Sequence, residues 1–427
     1  WTTLWLMRNV YTRYKAVLEQ TEGLPEGPQR EAIWQECHAI SAVELKRHAE
    51  EAKGLFIKAG QVMSAMVGTL PDAFTQEFLS LTDHLPVSTV QEVYRTVQRT
   101  FHQAPKDIFC EFDPEPLASA SIAQVHRARL RATKEIVAVK VQHDGVDRIF
   151  LEDIETLTAV AEQLAAWWPD LDFRKFAEEW RESLPRELDF THERTALERA
   201  GKALREAANW CVVPKVHPAL CGPHVFVMEF IDAGPILDLG DAKFCEENKV
   251  DKHRVLEELI HAFGIMAFRD GMFHADPHAG NVRLKVDANA PGGARPVLLD
   301  WGLIREITDE ERLGLAKVFH SLANFDIAGL FDVLESLGFS LKSELVNDTF
   351  KRDLIDKARG VVKDTVNKHK TRENAKEELA EYKASLNRAE KGEDVSLSPI
   401  HFLEDWPRCI IFFLRMLQIL RGLCISV

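Results

Sequence analysis

The sequence predicts an α+β protein on a bilobed plan: a helical N-terminal extension, a small sheet-bearing part and a chiefly helical remainder. Three observations carry this. Residues 30–66 hold apolar side chains at helical spacing without a proline, the composition changes near residue 106 to short β-branched and aromatic runs, and helical periodicity returns from about residue 232. The expected division is 1–106, 107–231 and 232–427.

Taken in order, Ile33, Ile40, Val43, Leu55 and Val62 define one or two long helices. Asp107–Asp113, Ile122–Leu130 and Glu135–Gln142 read as three antiparallel strands, separated by Pro, Ala and Ser or by a turn. Ile154, Leu157, Val160, Leu164 and Trp168 form one stripe of a further helix that Pro169 ends. Two more strands are expected around Val212-Val213-Pro214 and Val225–Met228. A helix over Leu256–Phe268 then leads into a loop at His274–Asn281, and a strand pair flanks the turn Pro291-Gly292-Gly293. Thr308 and Glu311 have capping-box spacing, so a helix starts there. Lys342–Glu393 is densely charged and is expected to be a solvated helical excursion.

The 427 residues, 46% hydrophobic and 28% charged, suffice for a sizeable core. With 53 Lys and Arg against 67 Asp and Glu, the net charge of -14 speaks against a broad nucleic-acid footprint. Seven scattered cysteines without a Cys-x-x-Cys pair form neither a disulfide framework nor a zinc site, and fit a reducing, intracellular compartment. No uncharged apolar run reaches the roughly 18 residues that a bilayer span requires. The nearest, Cys409–Leu423, is interrupted by Arg415 and Arg421, which predicts a soluble protein with at most a membrane-facing helix. The chain opens at Trp1 without an initiator Met, as expected of a fragment whose targeting segment lies elsewhere.

Chemistry concentrates in five places. Lys140 ends the strand-like Val137-Ala138-Val139-Lys140, where an ammonium can bridge the α- and β-phosphates of a nucleotide if a carboxylate fixes it. Taken alone, an edge-strand lysine pointing into solvent is the plainer reading. In His274-Ala275-Asp276-Pro277-His278-Ala279-Gly280-Asn281, an Asp follows a His by two residues and precedes an Asn by five, the spacing of a kinase catalytic loop. Asp276 would orient or deprotonate a nucleophile, and Asn281 would ligate a divalent ion. Asp300-Trp301-Gly302 follows the strand-like Pro296–Leu299 and adds a metal carboxylate, an oxygen-rich set that suits Mg²⁺.

The same loop permits a competing reading, a metal hydrolase built on His274, Asp276 and His278. It leaves Lys140 and Asp300 without a role. The third place is Leu117-Ala118-Ser119-Ala120-Ser121, small residues where a kinase has a Gly-rich loop; their Cβ atoms restrict backbone approach to phosphates. In the fourth, Lys58-Ala59-Gly60-Gln61, spacing puts Lys58 and Gln61 on one helix face, with Gly60 permitting close packing. The fifth is Glu187, Asp189 and Glu193, expected on one side of a helix as partners for Lys140 and Lys58.

Together these residues resemble the UbiB-like atypical kinase family of coenzyme Q and prenylquinone metabolism. The resemblance runs from about Gly54 to the C-terminus. It rests on Lys58–Gln61, Leu70-Pro71-Asp72, Leu117–Ala128, Val137–Gln142, Glu187-Leu188-Asp189, His274–Asn281 and Asp300-Trp301-Gly302. It implies a bilobed protein-kinase-like fold whose extension lays the Lys58–Gln61 helix over the protein-substrate cleft. It further implies Lys140 as the phosphate lysine with Glu193 as its partner, and Glu187 and Asp189 facing Lys58 and Gln61. Asp276 would be the catalytic-loop Asp, and Asn281 and Asp300 would hold Mg²⁺. ATP would lie against Ala118, Ser119, Ala120, Ser121, Lys140, Glu193 and Glu229.

The implied activity is that of an ATPase or small-molecule kinase supporting prenylquinone biosynthesis, in a mitochondrion or plastid if the source is eukaryotic. Its partners would be a nucleotide, a prenylquinone-lipid precursor or membrane surface, and biosynthetic enzymes. A Ser/Thr protein kinase and a nucleotide-gated scaffold for membrane-bound enzymes are the alternatives. The sequence departs from the family pattern at Ala279, which replaces a Pro, at Thr82, which replaces a Gln, and in a lengthened link between Asn281 and Asp300.

Overall fold

The computed structural model describes residues 2–25, 27–52, 54–65, 71–82, 87–167, 174–324, 326–338 and 408–427. The expected charged excursion at Lys342–Glu393 lies outside them, as do Leu70, Trp168 and Pro169. The chain divides into two compact units, Trp1–His192 with His217–Phe230, and Glu193–Val216 with Ile231–Val427.

The first unit opens with helices α1 (Thr2–Thr21), α2 (Pro28–Ala52), α3 (Gly54–Ala65) and α4 (Asp72–Glu77). Arg13 joins α1 to α2 through a two-pronged contact to Glu44, at 3.0 and 2.9 Å. Ile40 and Val43, expected on the buried stripe, are exposed; α2 instead buries the small residues Cys37, Ser41, Ala42 and Ala49. Small side chains let neighbouring helices approach closely, and Ala42 and Ala49 pack with Phe74, Phe78 and Leu81.

Helix α3 starts at Gly54, whose φ of +53° is costly for any residue with a Cβ. The space such a Cβ would need is taken by the carboxylate of Asp153, on α7 (Val146–Trp167). Asp153 Oδ2 accepts the Leu55 N–H at 2.9 Å and so caps α3 from a distant helix. Burial raises the Asp153 pKa, an effect the bond from Leu55 opposes. Leu55, Phe150 and Ile154 share a cluster with Leu184 and Leu188 at the end of α8 (Arg174–Glu187).

Helix α5 (Val90–Phe101) is opened by a capping box of Thr89 and Glu92, and α6 (Pro105–Ile108) follows. The strand expected over Asp107–Asp113 is therefore shorter, because Pro105 starts a helical turn first. The sheet comprises β1 (Phe109–Phe112), β2 (Ala118–Ser119), β3 (Ala123–Leu130), β4 (Ile136–Gln142), β5 (Val216–Cys221) and β6 (Val225–Glu229). Its order is β1-β3-β4-β6-β5, with β2 paired to β3. Val137, Val139 and Val141 pack against Val93 and Val97 of α5. With a side-chain period of two, Ala138, Lys140 and Gln142 take the other face. The strand expected at Val212–Pro214 is displaced: Val212 makes only a parallel bridge to Val297, and the strand itself is β5.

Helix α9 (Phe190–Glu206) carries the chain into the second unit. That unit contains α10 (Ala242–Asn248), α11 (Lys252–Gly264), α12 (Asp309–Asn324) and α13 (Ile327–Ser336). Helix α11 starts before the expected Leu256, because Asp251 Oδ1 accepts the His253 and Arg254 N–H groups at 3.0 and 3.4 Å. It ends in a single π turn, Ile265–Arg269. Strands β9 (Val282–Val286) and β10 (Ala294–Leu298) form the expected hairpin, with β7 (Gly234–Pro235) beside β9. Strands β8 (Met272–His274) and β11 (Ile304–Glu306) form a second ladder. Thr308 and Glu311 exchange capping-box bonds at 2.7 and 3.2 Å ahead of α12, as expected.

The C-terminal helix Arg408–Ser426 completes the second unit. Among the described residues no helix is long and apolar enough to cross a membrane. One face of this helix packs inward: Phe413, Met416, Leu420 and Leu423 are buried. Phe413 meets Phe268, Phe273 and Phe319 with ring centroids 5.9, 5.4 and 5.9 Å away.

Candidate active site

In the second unit, the chemistry-bearing loop runs out of β8, and Asp300-Trp301-Gly302 runs into β11. Pairing of His274 with Ile304 brings the two stretches side by side. His274 is fully buried and links them: its Nε2 donates to the Asp300 carbonyl, and its Nδ1 accepts the Asp276 N–H at 3.1 Å. A backbone N–H can only donate and a carbonyl can only accept, so the imidazole is neutral with its proton on Nε2. Burial depresses the His274 pKa, while Asp300 and Asp276 pull the other way.

Both His274 nitrogens are thus occupied by backbone, which removes the His274–Asp276–His278 metal-hydrolase reading. His278 is exposed, with Nδ1 accepting the Gly280 N–H at 3.0 Å. Asn281 Nδ2 donates to the Asp276 carbonyl at 3.1 Å, which ties the two ends of the loop together. Asp300 Oδ1 accepts the Gly302 N–H at 3.0 Å. The Trp301 N–H donates to Glu193 Oε1 at 3.3 Å, so the buried Glu193 braces the same turn. Arg415, on the C-terminal helix, reaches Asp276 Oδ1 at 3.3 Å.

Among the described residues, no group of three or more His, Cys, Asp or Glu side chains converges as a metal cage. The Asn281 amide and the Asp300 carboxylate are nonetheless the donor set that Mg²⁺ uses when it keeps waters and takes its other ligands from phosphates.

In the first unit, Lys140 is buried, and its Nζ lies 5.3 Å from the centre of the Phe190 ring. Glu229 ends β6, paired across the ladder with Val137. Lys58, on α3, forms an ion pair with Glu187 at the end of α8, as expected from the sequence. The side chain of Gln61 lies outside the described residues. Gly60 permits the close packing expected of it, since a Cβ there would collide with Leu81.

The expectation that Glu187, Asp189 and Glu193 share a helix face fails. The helix ends at Glu187, and Asp189 Oδ1 accepts the Thr191 N–H at 2.9 Å to start α9. Gln142 Nε2 holds this break from β4 by donating to the Leu188 carbonyl at 3.0 Å.

The loop Ala118–Ser121 is a tight hairpin: Ala118 pairs with Val125, Ser119 with Gln124, and the Ala120 N–H donates to the Ala123 carbonyl at 2.7 Å. Its hold comes from a residue the sequence reading passed over. His143 Nε2 donates to the Ala120 carbonyl at 3.0 Å, and its Nδ1 meets the Ser88 hydroxyl at 2.7 Å. Gln124 exchanges bonds with the Ser88 backbone at 2.7 and 3.0 Å and meets His126 Nε2 at 2.8 Å. Burial lowers the pKa of His143, against the opposing effects of the Ala120 bond and Glu92. The sequence signal was His143 itself, a second polar residue following Gln142 at the end of β4. Asp153 and Arg415 were missed because their partners lie far away in the chain.

The family model of the ABC1 atypical kinase-like domain matches residues 80–334. AarF domain-containing kinase 1 of Drosophila melanogaster is 33% identical over 330 residues, covering 77% of this chain and 62% of that protein. The ABC1 family protein MCP2 homolog of Schizosaccharomyces pombe is 32% identical over 320 residues, covering 74% and 56%. A protein named probable serine/threonine-protein kinase abkD, from Dictyostelium discoideum, is 34% identical over 287 residues, covering 67% and 40%. The chain thus spans about three-fifths or less of the length of these curated relatives. The solved complex of Rv3197 with erythromycin, from Mycobacterium tuberculosis, is 22% identical with a TM-score of 0.56. It covers 93% of this chain and 94% of that chain, a likeness of fold alone.

Proposed function

This chain belongs to the ABC1 atypical kinase-like family, and we propose that it binds Mg-ATP and directs the γ-phosphoryl group to water or to a small molecule, in support of prenylquinone-lipid biosynthesis. The observation that carries the reading is the locked pair of loops in the second unit. His274 ties the backbone beside Asp276 to the carbonyl of Asp300, and Asn281 closes the loop onto Asp276. When bound, Mg²⁺ supplies charge neutralisation for the phosphates, and Asn281 and Asp300 are the residues that would hold it.

Asp276 would orient the nucleophile, and Lys140, buried with its ammonium against an aromatic face, would neutralise the α- and β-phosphates with Glu193 as its partner. The loop Ala118–Ser121 would cover them less closely than a glycine loop does, because each of its residues carries a Cβ. Glu229, at the end of β6, would contact the nucleotide base or ribose. Lys58 paired with Glu187 supports assignment of the Lys58–Gln61 helix to occlusion of a protein-substrate site. Asp189 and Gln61 would complete that contact.

The test is phosphate release from Mg-ATP by the purified protein, with and without anionic vesicles, alongside transfer to a generic protein substrate. Release without protein transfer supports the proposal. Efficient protein transfer would favour the Ser/Thr kinase reading instead. Nucleotide binding without turnover would favour the scaffold reading.

A further inference from the structure

The catalytic loop is touched by a part of the chain 139 residues away, the C-terminal helix Arg408–Ser426, which lies beyond the segment matched by the family model. The Asp276 backbone is already fixed at both ends, by His274 Nδ1 and by Asn281 Nδ2. What those bonds leave undetermined is the direction of the carboxylate, governed by two side-chain torsions. Arg415 Nη2 addresses that freedom, at 3.3 Å from Oδ1. His278 Nε2 stands 3.9 Å from Oδ2, too far for a hydrogen bond.

Arg415 is itself well placed. Phe413 and Met416 on either side of it are buried at 3% and 2% exposure, and Phe413 packs against three phenylalanines, which anchors this stretch of the helix. The Arg415 side chain is 44% exposed and that of Asp276 30%. A half-solvated pair of this kind adds little to stability, so stability does not account for its placement on this particular carboxylate.

We propose that Arg415 is a positioning residue: it holds Oδ1 of Asp276 and thereby leaves Oδ2 to face the nucleophile, which makes the C-terminal helix part of the working site. The proposal deepens the phosphoryl-transfer reading and rests on it. Misdirecting an orienting carboxylate costs rate in the chemical step and leaves nucleotide binding intact.

The experiment compares the full chain, R415A, D276N and the double variant R415A/D276N, by melting temperature and by kcat and KM for Mg-ATP. R415A is expected to melt with the parent and keep its KM within about twofold, with kcat lowered about tenfold. In the D276N background the same substitution should change nothing, since the group it acts through is gone. A parental kcat, a raised kcat, or an equal fractional loss in the D276N background would overturn the proposal while the phosphoryl-transfer reading stands. If the parent turns over no ATP, or D276N is as active as the parent, the reading of Asp276 fails and this inference falls with it.

Discussion

Two loops in this chain are each held by a buried histidine, and the two holds differ in kind. In the second unit, His274 grips the His274–Asn281 loop between a backbone N–H and a backbone carbonyl. In the first, His143 grips the Ala118–Ser121 hairpin between a carbonyl and the hydroxyl of Ser88. A hydroxyl can turn to accept from a protonated ring; an N–H cannot. The His274–Asn281 loop is therefore bolted to one tautomer, whereas the small-residue loop rests on a hinge that survives protonation and exchange of partners. On the proposed function, the first kind of hold suits a loop that orients a nucleophile, and the second suits a flap over phosphates.

Removing the bolt should have the largest effect. H274A orphans the Asp276 N–H and the Asp300 carbonyl and opens a cavity beside Trp301. About 3–5 kcal/mol of stability should be lost, with turnover lowered about a hundredfold or more. Chemical denaturation and kcat measured on the same preparation check this. A variant as stable as the parent would show that the backbone holds the loop unaided.

H143A should be milder and of another character. A loss of about 1–2 kcal/mol is expected, with KM for Mg-ATP raised about fivefold and kcat nearly kept, since a loosened flap weakens binding more than chemistry. H143Q, which retains an amide donor for the Ala120 carbonyl, should recover most of the KM. Should H143A lower kcat and leave KM alone, the two loops would not be separable in the way argued.

Acid sharpens the same contrast. Burial lowers the His143 pKa in the folded chain, so the unfolded chain takes up its proton first. The stability linked to this group is complete above about pH 6.5 and falls as pH drops from there towards the folded value. Burial also lowers the pKa of His38, His48, His126 and His274, so the histidine contribution to the parental decline is a sum with one sign. Denaturation midpoints between pH 5 and 7.5 should fall less steeply for H143Q than for the parent, and equal slopes would remove His143 from the sum.

The smallest effect is expected at the helix that carries Lys58. D153A deletes the acceptor of the Leu55 N–H, at a cost of about 1 kcal/mol, partly offset because a desolvated carboxyl is also removed. A melting curve shifted by no more than a few degrees checks it. A large loss would mean that Asp153 holds the Gly54 turn itself.

Much of the fold was legible because its signals are local. The alternation in Val137–Gln142, the Pro291-Gly292-Gly293 turn and the Thr308–Glu311 box each specify an element within a few residues. The misreadings came where a local pattern had two meanings. Three acids in seven residues looked like one helix face, but Asp189 is a start signal, and the chain breaks before it. Val212-Val213-Pro214 looked like a strand, yet only Val212 finds a partner, and the strand forms four residues later. In the candidate site, spacing alone pointed to Asp276, Asn281 and Asp300. Arg415, Asp153 and the Ser88–His143 contact were invisible, since nothing local encodes pairings of 139, 98 and 55 residues.

On the proposed function, the loops locked by His274 present Asn281 and Asp300 to a Mg-nucleotide. Calorimetric titration of ATP into the parent and D300N, each with Mg²⁺ and with the metal chelated, tests it most directly. Tight binding to the parent is expected only when Mg²⁺ is present, and D300N should bind in both conditions only as weakly as the chelated parent, since removing the carboxylate charge removes the main attraction for the dication. D300N that binds Mg-ATP as tightly as the parent would contradict it.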